Sequence, residues 1–197
     1  MSGSEDLPSR LQEIARLAEL EPYATGWDWD ERPQDAQEFA LALLARPDRV
    51  KPLPDDIREK VVWNLAAIVE DLVRSVIHRG HVSDEQRFEI LRLCPAFLAG
   101  VYEPEPEWSE SAYMWWDGIV GRPDPGEYGE IGDVMFEVMV EQLGIPNRIS
   151  KFSGLHGLNH LQDPRTRRVV DEFQMAHKET DRQLYEYCMY VKRFEAL

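Results

Sequence analysis

The chain has 197 residues, of which 43% are hydrophobic and 30% are charged, a composition too apolar for a disordered protein and suited to one globular domain over residues 1–197. Lys and Arg number 22 and Asp and Glu number 37, which gives a formal net charge of −15. Nucleic acids and anionic membranes both attract basic surfaces, so this charge argues against either as a partner.

The apolar segments and the cysteines indicate the compartment. The longest run without Lys, Arg, Asp or Glu covers residues 152–162, which is 11 residues, whereas a helix that crosses a bilayer needs about 20 apolar residues. The N-terminal residues are acidic and lack the apolar core of a secretory signal. Cys94 and Cys188 lie far apart in apolar surroundings, which favours two buried thiols over a disulfide. We therefore expect a cytoplasmic protein without a membrane segment.

Hydrophobic residues recur at intervals of three and four along most of the chain, and strand-like alternation is nearly absent. In chain order, the pattern with its Pro, Gly and capping signals predicts about nine helices, over residues 9–20, 33–46, 55–79, 84–95, 109–119, 131–143, 149–161, 164–177 and 181–197. This predicts an all-α fold of stacked antiparallel helices, either HEAT-like or an irregular helical bundle.

Three local signals refine these boundaries. Ser83 and Gln86 have the spacing of a capping box, in which each side chain binds the backbone amide of the other. Pro95 lacks an amide hydrogen and clashes with the preceding turn, so the helix should bend or stop there. Residues 100–129 are rich in Pro, Gly, Trp and acids, and we expect an irregular acidic and aromatic insertion with one short helix.

The most specific string runs from Ser153 to Leu161 and contains His156 and His160. These histidines are four residues apart and should share one face of a helix, as two imidazole ligands of a metal ion do. A site would need a third ligand, such as His177 or Asp163, and the Glu of the metalloprotease motif is absent. Because structural zinc takes four protein ligands, we expect no structural metal here, and a metal held by His156 and His160 is the alternative.

The same string, Leu155-His156-Gly157-Leu158-Asn159-His160, resembles a Leu-His-Gly-Leu-Gly-His signature of uncharacterised bacterial helical proteins of the HEAT-like kind. In those proteins a Pro and an amphipathic helix follow, as Pro164 and residues 169–173 do here. The resemblance covers residues 149–197, and Asn159 replaces the second Gly of the signature. It implies a stacked-helix scaffold and supplies no activity.

Acidic and aromatic residues occur together in two segments. Residues 27–30 alternate Trp with Asp, and residues 100–141 contain 11 acids against one base. Trp and Tyr next to charged groups are typical of binding hot spots, although such clusters also occur on plain solvated faces. The residues expected to bind a partner are Trp27, Asp28, Trp29, Asp30, Trp108, Glu110, Trp115, Trp116 and Asp117.

Charge is also divided unevenly along the chain. Residues 147–197 contain 9 bases and 7 acids, a net charge of +2, so residues 1–146 contain 13 bases and 30 acids, a net charge of −17. One part of the molecule should therefore attract a cationic partner over a distance. The chain has no phosphate-binding loop, dinucleotide fingerprint, nucleophile elbow or paired-Cys zinc motif, so we expect no cofactor.

Three functions remain open on these grounds. The favoured one is a protein-binding domain whose acidic, Trp-bearing face captures a basic protein, for example as an immunity-type inhibitor of a cationic toxin or as a mimic of nucleic-acid charge. The alternative is a metal-assisted hydrolase that uses His156, His160 and a nearby acid. A structural adaptor that uses neither feature is the third.

Overall fold

A computed structural model describes residues 33–74, 82–121 and 129–194 of the chain. Within these ranges 77% of the residues are helical and no strand occurs, which confirms the predicted all-α fold. None of the helices in this part of the chain is long and apolar enough to cross a membrane. The first predicted helix, residues 9–20, lies outside the described residues.

Nine α-helices occur in the described ranges, and a 3-10 turn at Pro47–Arg49 follows the first of them. The helices are α1 (Pro33–Leu44), α2 (Asp55–Arg74), α3 (Asp84–Val101), α4 (Glu110–Tyr113), α5 (Trp115–Val120), α6 (Gly129–Gly144), α7 (Arg148–Leu161), α8 (Thr166–His177) and α9 (Arg182–Val191).

Side-chain caps explain the starts of α3, α7 and α9. Ser83 Oγ accepts a hydrogen bond from the Gln86 amide at 3.3 Å, and Gln86 Oε1 accepts one from the Ser83 amide at 2.8 Å, which confirms the capping box. Asn147 and Asp181 cap α7 and α9 by accepting from the amide three residues further on, at 2.9 and 3.0 Å. Each cap satisfies an amide that the first helical turn leaves without a partner.

Three features of the helices differ from the sequence prediction. The last helix was expected to run to residue 197, but it ends at Val191. Helix α3 does not stop at Pro95 and continues to Val101. Proline removes one amide from the helix, and the burial of Pro95 with its neighbours Cys94 and Phe97 in the core holds the helix together across that gap. In the insertion, two short helices, α4 and α5, occur where one was expected, separated by Met114.

Helix α7 lies at the centre of the packing. It contacts α6 most extensively and also contacts α3, α4, α5, α8 and α9. One cluster of buried hydrophobic side chains runs through the described helices, and Cys94 and Cys188 are buried free thiols. The histidine string of the sequence therefore belongs to the most enclosed helix, and any site built on it is bounded by several other helices.

Candidate functional site

The two histidines of α7 share one helical face, as the sequence predicted. Their ring centroids are 4.6 Å apart. His156 is fully buried, whereas the His160 side chain is 27% exposed. The pair therefore runs from the interior of the fold towards its surface.

Two glycines let α7 approach its neighbours closely. A Cβ at Gly157 would lie 2.7 Å from Cγ of the Trp116 indole, and a Cβ at Gly154 would lie 2.8 Å from the Met139 carbonyl oxygen. Both distances are below ordinary van der Waals contact, so only Gly fits this packing. The close approach of α7 to α5 brings the residue after Trp116, which is Asp117, to the histidines.

Asp117 lies between the two imidazoles. Its Oδ1 is 2.6 Å from Nε2 of His156 and 3.2 Å from Nε2 of His160. We call Asp117, His156 and His160 the His-Asp cluster. Each residue offers one metal-ligand atom, and these atoms all lie within 4.8 Å of one another.

The third partner is thus neither of the residues that the sequence suggested. His177 stacks on Phe173 at a ring distance of 4.1 Å and has Nε2 at 3.4 Å from Lys151 Nζ. Asp163 forms an ion pair with Arg165, whose hydrogen bond lowers the pKa of that carboxyl group. Asp117 was expected on a partner-binding face instead, because nothing in its local sequence shows which helix it meets.

The second nitrogen of His156 belongs to a partly buried chain of hydrogen bonds. His156 Nδ1 is 3.1 Å from the Tyr187 hydroxyl, which is 2.9 Å from the Tyr113 hydroxyl. Burial is the main cause that raises the pKa of both tyrosines, so both hydroxyls keep their protons at neutral pH. When His156 donates from Nε2 to Asp117, Nδ1 accepts from Tyr187, and Tyr187 accepts from Tyr113.

His160 is less well satisfied. Its Nε2 atom is buried and makes no hydrogen bond. The contact with Asp117 is 3.2 Å long, but its angle does not suit a hydrogen bond. Burial lowers the pKa of His160, and the negative charge of Asp117 only partly opposes this. A buried imidazole nitrogen without a hydrogen bond therefore lies next to the carboxylate.

An aromatic groove lies beside the His-Asp cluster, and Tyr113 and Tyr187, which form the hydrogen-bond chain from His156, line it. The groove has a volume of about 710 Å³. Its aromatic lining consists of Trp108, Tyr113, Phe152, Tyr187 and Tyr190. Its polar lining consists of Glu107, Arg148, Gln183 and Glu186.

The rings of the aromatic groove contact one another. Trp108 and Tyr113 have centroids 4.9 Å apart, and Phe152 and Tyr187 have centroids 5.4 Å apart in an edge-to-face arrangement. Trp108 is 53% exposed and Tyr190 is 52% exposed. A ligand in the groove would therefore meet ring faces that are already packed in place, with little side-chain entropy left to lose.

Most charged groups of the groove already have partners. Arg148 donates from Nε to Asp181 at 2.8 Å and from a terminal nitrogen to Gln183. Glu186 accepts from Arg182 at 2.7 Å. Glu107 is exposed. Among the described residues, no Lys or Arg forms an ion pair with it, whereas Glu186 is paired with Arg182. Glu107 is therefore the acid of this lining that is free to meet a cation.

Glu59 of α2 fixes the wall that carries Trp108. Its carboxylate accepts hydrogen bonds from the Ser109 hydroxyl at 2.7 Å, the Ser111 amide at 3.0 Å and the Tyr102 hydroxyl at 2.9 Å. These bonds hold both ends of the segment 102–111 against α2. Hydrogen bonds to a charged group are roughly twice as strong as neutral ones, so the wall is firmly placed.

Apart from Asp117, which belongs to the His-Asp cluster, the expected binding residues divide into three groups. Trp27, Asp28, Trp29 and Asp30 lie outside the described residues. Trp108 and Glu110 are exposed, as a binding face requires. Trp115 and Trp116 are fully buried and cannot belong to a surface, so that part of the prediction is corrected.

The tryptophans are buried because α5 packs between other helices. The Trp116 indole donates to Gln142 Oε1 at 2.7 Å, and the Trp115 ring lies 5.9 Å from Phe97. Sequence reasoning also missed Phe152, Tyr187 and Tyr190 as groove residues. A faint signal existed, since Tyr187 and Tyr190 have the spacing of one helical face, but nothing in the sequence joined them to Trp108.

Comparisons with known proteins found no relative. No protein-family model matches the chain, and neither a curated protein nor a solved structure matches it.

Proposed function

We propose that the aromatic groove captures a basic segment of a partner protein. The observation that carries this proposal is the combination of packed ring faces with an unpaired acid, Glu107, on the same lining. An Arg or Lys side chain of the partner would lay its aliphatic stem and its charge across the rings, with the charge near the acid.

The groove already contains an example of such a contact. The Arg148 guanidinium lies over the Phe152 ring at 4.9 Å from its centroid. Cation-π contacts contribute about 0.5–1 kcal/mol at exposed sites and more when the cation is desolvated. The charge of Arg148 is offset by its ion pair with Asp181, so it does not strongly repel a second cation from the groove.

Charge complementarity favours a basic partner over an acidic one. The net charge of the chain is −15, and the segment that forms one wall carries Glu103, Glu105, Glu107 and Glu110 within eight residues. Such a field raises association rates and is screened over about 10 Å at 0.1 M salt. An immunity-type inhibitor of a basic toxin is one form that this function would take.

Trp108→Ala should weaken binding of a short peptide that alternates Lys with Leu by roughly 30-fold, which corresponds to about 2 kcal/mol for a hot-spot ring. Glu107→Gln should mainly slow association and reduce its salt dependence. Both effects are measured by fluorescence titration and stopped-flow mixing. Met175→Ala and Glu137→Gln remove an exposed apolar group and an exposed acid away from the groove lining and serve as matched controls.

The same peptide with Glu in place of Lys should not bind. Equal affinity for the two peptides, or equal losses of peptide affinity in the Trp108 and Met175 variants, would contradict the proposal. Self-association of the protein at titration concentrations, detected by sedimentation, would instead indicate that a second copy of the chain occupies the groove.

A further inference from the structure

We infer that the His-Asp cluster is a binding site for one divalent transition-metal ion, for which Zn²⁺ is the best match. The ligand atoms would be Nε2 of His156, Nε2 of His160 and a carboxylate oxygen of Asp117. This inference is independent of the function proposed for the aromatic groove. It also revises the sequence-based expectation, which depended on the lack of a third ligand that Asp117 now supplies.

Two of the three donor separations are close to those of such an ion. Zinc binds His nitrogen and carboxylate oxygen at about 2.0–2.2 Å, so two ligands of a tetrahedral ion lie roughly 3.3 Å apart. The Asp117 to His160 distance of 3.2 Å already has this value, and the Asp117 to His156 distance of 2.6 Å is shorter. A small outward rotation of the carboxylate, which is 30% exposed, would open the second distance. The two imidazole nitrogens lie within 4.8 Å of one another and would have to move closer together around the ion.

His160 gives the observation that a purely hydrogen-bonded cluster does not explain. In such a cluster His156 is satisfied on both nitrogens, by Asp117 and by Tyr187. The buried Nε2 of His160 has no hydrogen bond. Buried polar atoms without a hydrogen bond are uncommon and often mark an ion or a water molecule, and an imidazole Nε2 that lies 3.2 Å from a carboxylate oxygen is a ready metal ligand.

Tyr187 supplies the outer contact that metal-bound histidines commonly have. A ligating His usually donates its other ring N–H to a neighbouring group, which fixes the tautomer and the ring orientation. With metal on Nε2, the His156 proton lies on Nδ1 and is donated to the Tyr187 hydroxyl, which donates to Tyr113 in turn. The bond between His156 and Tyr187 is kept, and its donor and acceptor exchange roles.

The ligand set also indicates the kind of site. Two His and one carboxylate are three protein ligands, which is the number in zinc sites that keep a position for water and in non-haem Fe(II) sites. Asp117 and His160 are 30% and 27% exposed, so solvent can reach that position. A metal-assisted hydrolase, the alternative from the sequence, would require this open position.

Zn²⁺ titration of metal-free protein, prepared without an affinity tag, tests the site. We expect one Zn²⁺ per chain, with an affinity that His160→Ala lowers by more than about 100-fold and Tyr187→Phe lowers by about 10- to 100-fold. His177→Ala is the matched control and should bind as the wild type does. Co²⁺ in place of Zn²⁺ should give visible absorption bands that the His160 variant loses and the His177 variant keeps.

His160 is chosen because it is the more exposed histidine, and far-ultraviolet circular dichroism checks that each variant folds. Should His160→Ala unfold, His160→Gln retains a similar volume and tests the same nitrogen. Absence of stoichiometric Zn²⁺ in the wild type, or equal Zn²⁺ affinity in the wild type and the folded His160 variant, would overturn the inference. Neither result bears on peptide binding in the groove.

Discussion

Trp116→Ala should lower the free energy of unfolding by about 3–5 kcal/mol, the cost of removing a large aromatic side chain from a core. Trp116 is fully buried, packs against Gly157 and donates its indole N–H to Gln142. The truncation would leave a cavity and a buried Gln142 oxygen without its donor, and an unsatisfied buried group adds to the loss. Urea unfolding followed by circular dichroism measures the effect.

Trp108→Ala is the control for this prediction. Trp108 is 53% exposed, so its truncation should change the free energy of unfolding by less than about 1 kcal/mol while it weakens peptide binding. The two tryptophans should therefore separate stability from binding. Similar losses of stability in the two variants would contradict the assignment of Trp116 to the core and Trp108 to the groove.

Gly154→Ala should destabilise the fold by about 1–3 kcal/mol, the usual cost of forcing an extra methyl group into a packed interior. The new Cβ would lie 2.8 Å from the backbone oxygen of Met139 and 3.0 Å from Cβ of Gln142. A backbone atom cannot turn away as a side chain does, so α7 would have to move away from α6. Thermal and urea unfolding both measure the loss.

Gly144→Ala provides the comparison, because a Cβ at Gly144 meets nothing within 4 Å and the residue ends α6. The same chemical change there should leave stability within about 0.5 kcal/mol of the wild type. A loss at Gly144 as large as that at Gly154 would mean that backbone flexibility, and not the contact between α6 and α7, explains the result.

Local features of the fold could be predicted from the sequence. The capping box of Ser83 and Gln86 and the shared face of His156 and His160 both depend on residues within four positions of one another. Such contacts follow from helix geometry alone. The expectation that the helix stops at Pro95 was wrong, because the packing of the buried α3 outweighs one missing backbone hydrogen bond.

The long-range partners could not be predicted. Asp117 and His156 are 39 positions apart, and no signal in the sequence indicates that α5 packs against α7. Gly154 and Gly157 permit this approach, but the sequence does not show which helices they meet. The neighbouring Trp115 and Trp116 lie in an acidic stretch that indicated a surface, whereas the short helix α5 turns both indoles into the core.

The aromatic groove also depends on contacts between residues that are far apart in the sequence. Its rings come from the segment before α4, from α4, from α7 and from α9. Trp108 is close in sequence to Tyr113, and Tyr187 is close to Tyr190, but these two pairs and Phe152 are far apart along the chain. Composition could indicate an acidic, Trp-bearing binding face near residues 100–129. It could not indicate that Phe152, Tyr187 and Tyr190 complete it.

Mapping the contact surface by nuclear magnetic resonance tests the central proposal most directly. During titration with the alternating Lys and Leu peptide, the indole N–H signal of Trp108 and the amide signals of Tyr113, Phe152 and Tyr187 should shift together and saturate. The indole signal of Trp116, buried against Gln142, should stay in place. Shifts confined to residues outside the aromatic groove, or no shift at peptide concentrations that saturate the fluorescence change, would contradict capture of a basic segment in the groove.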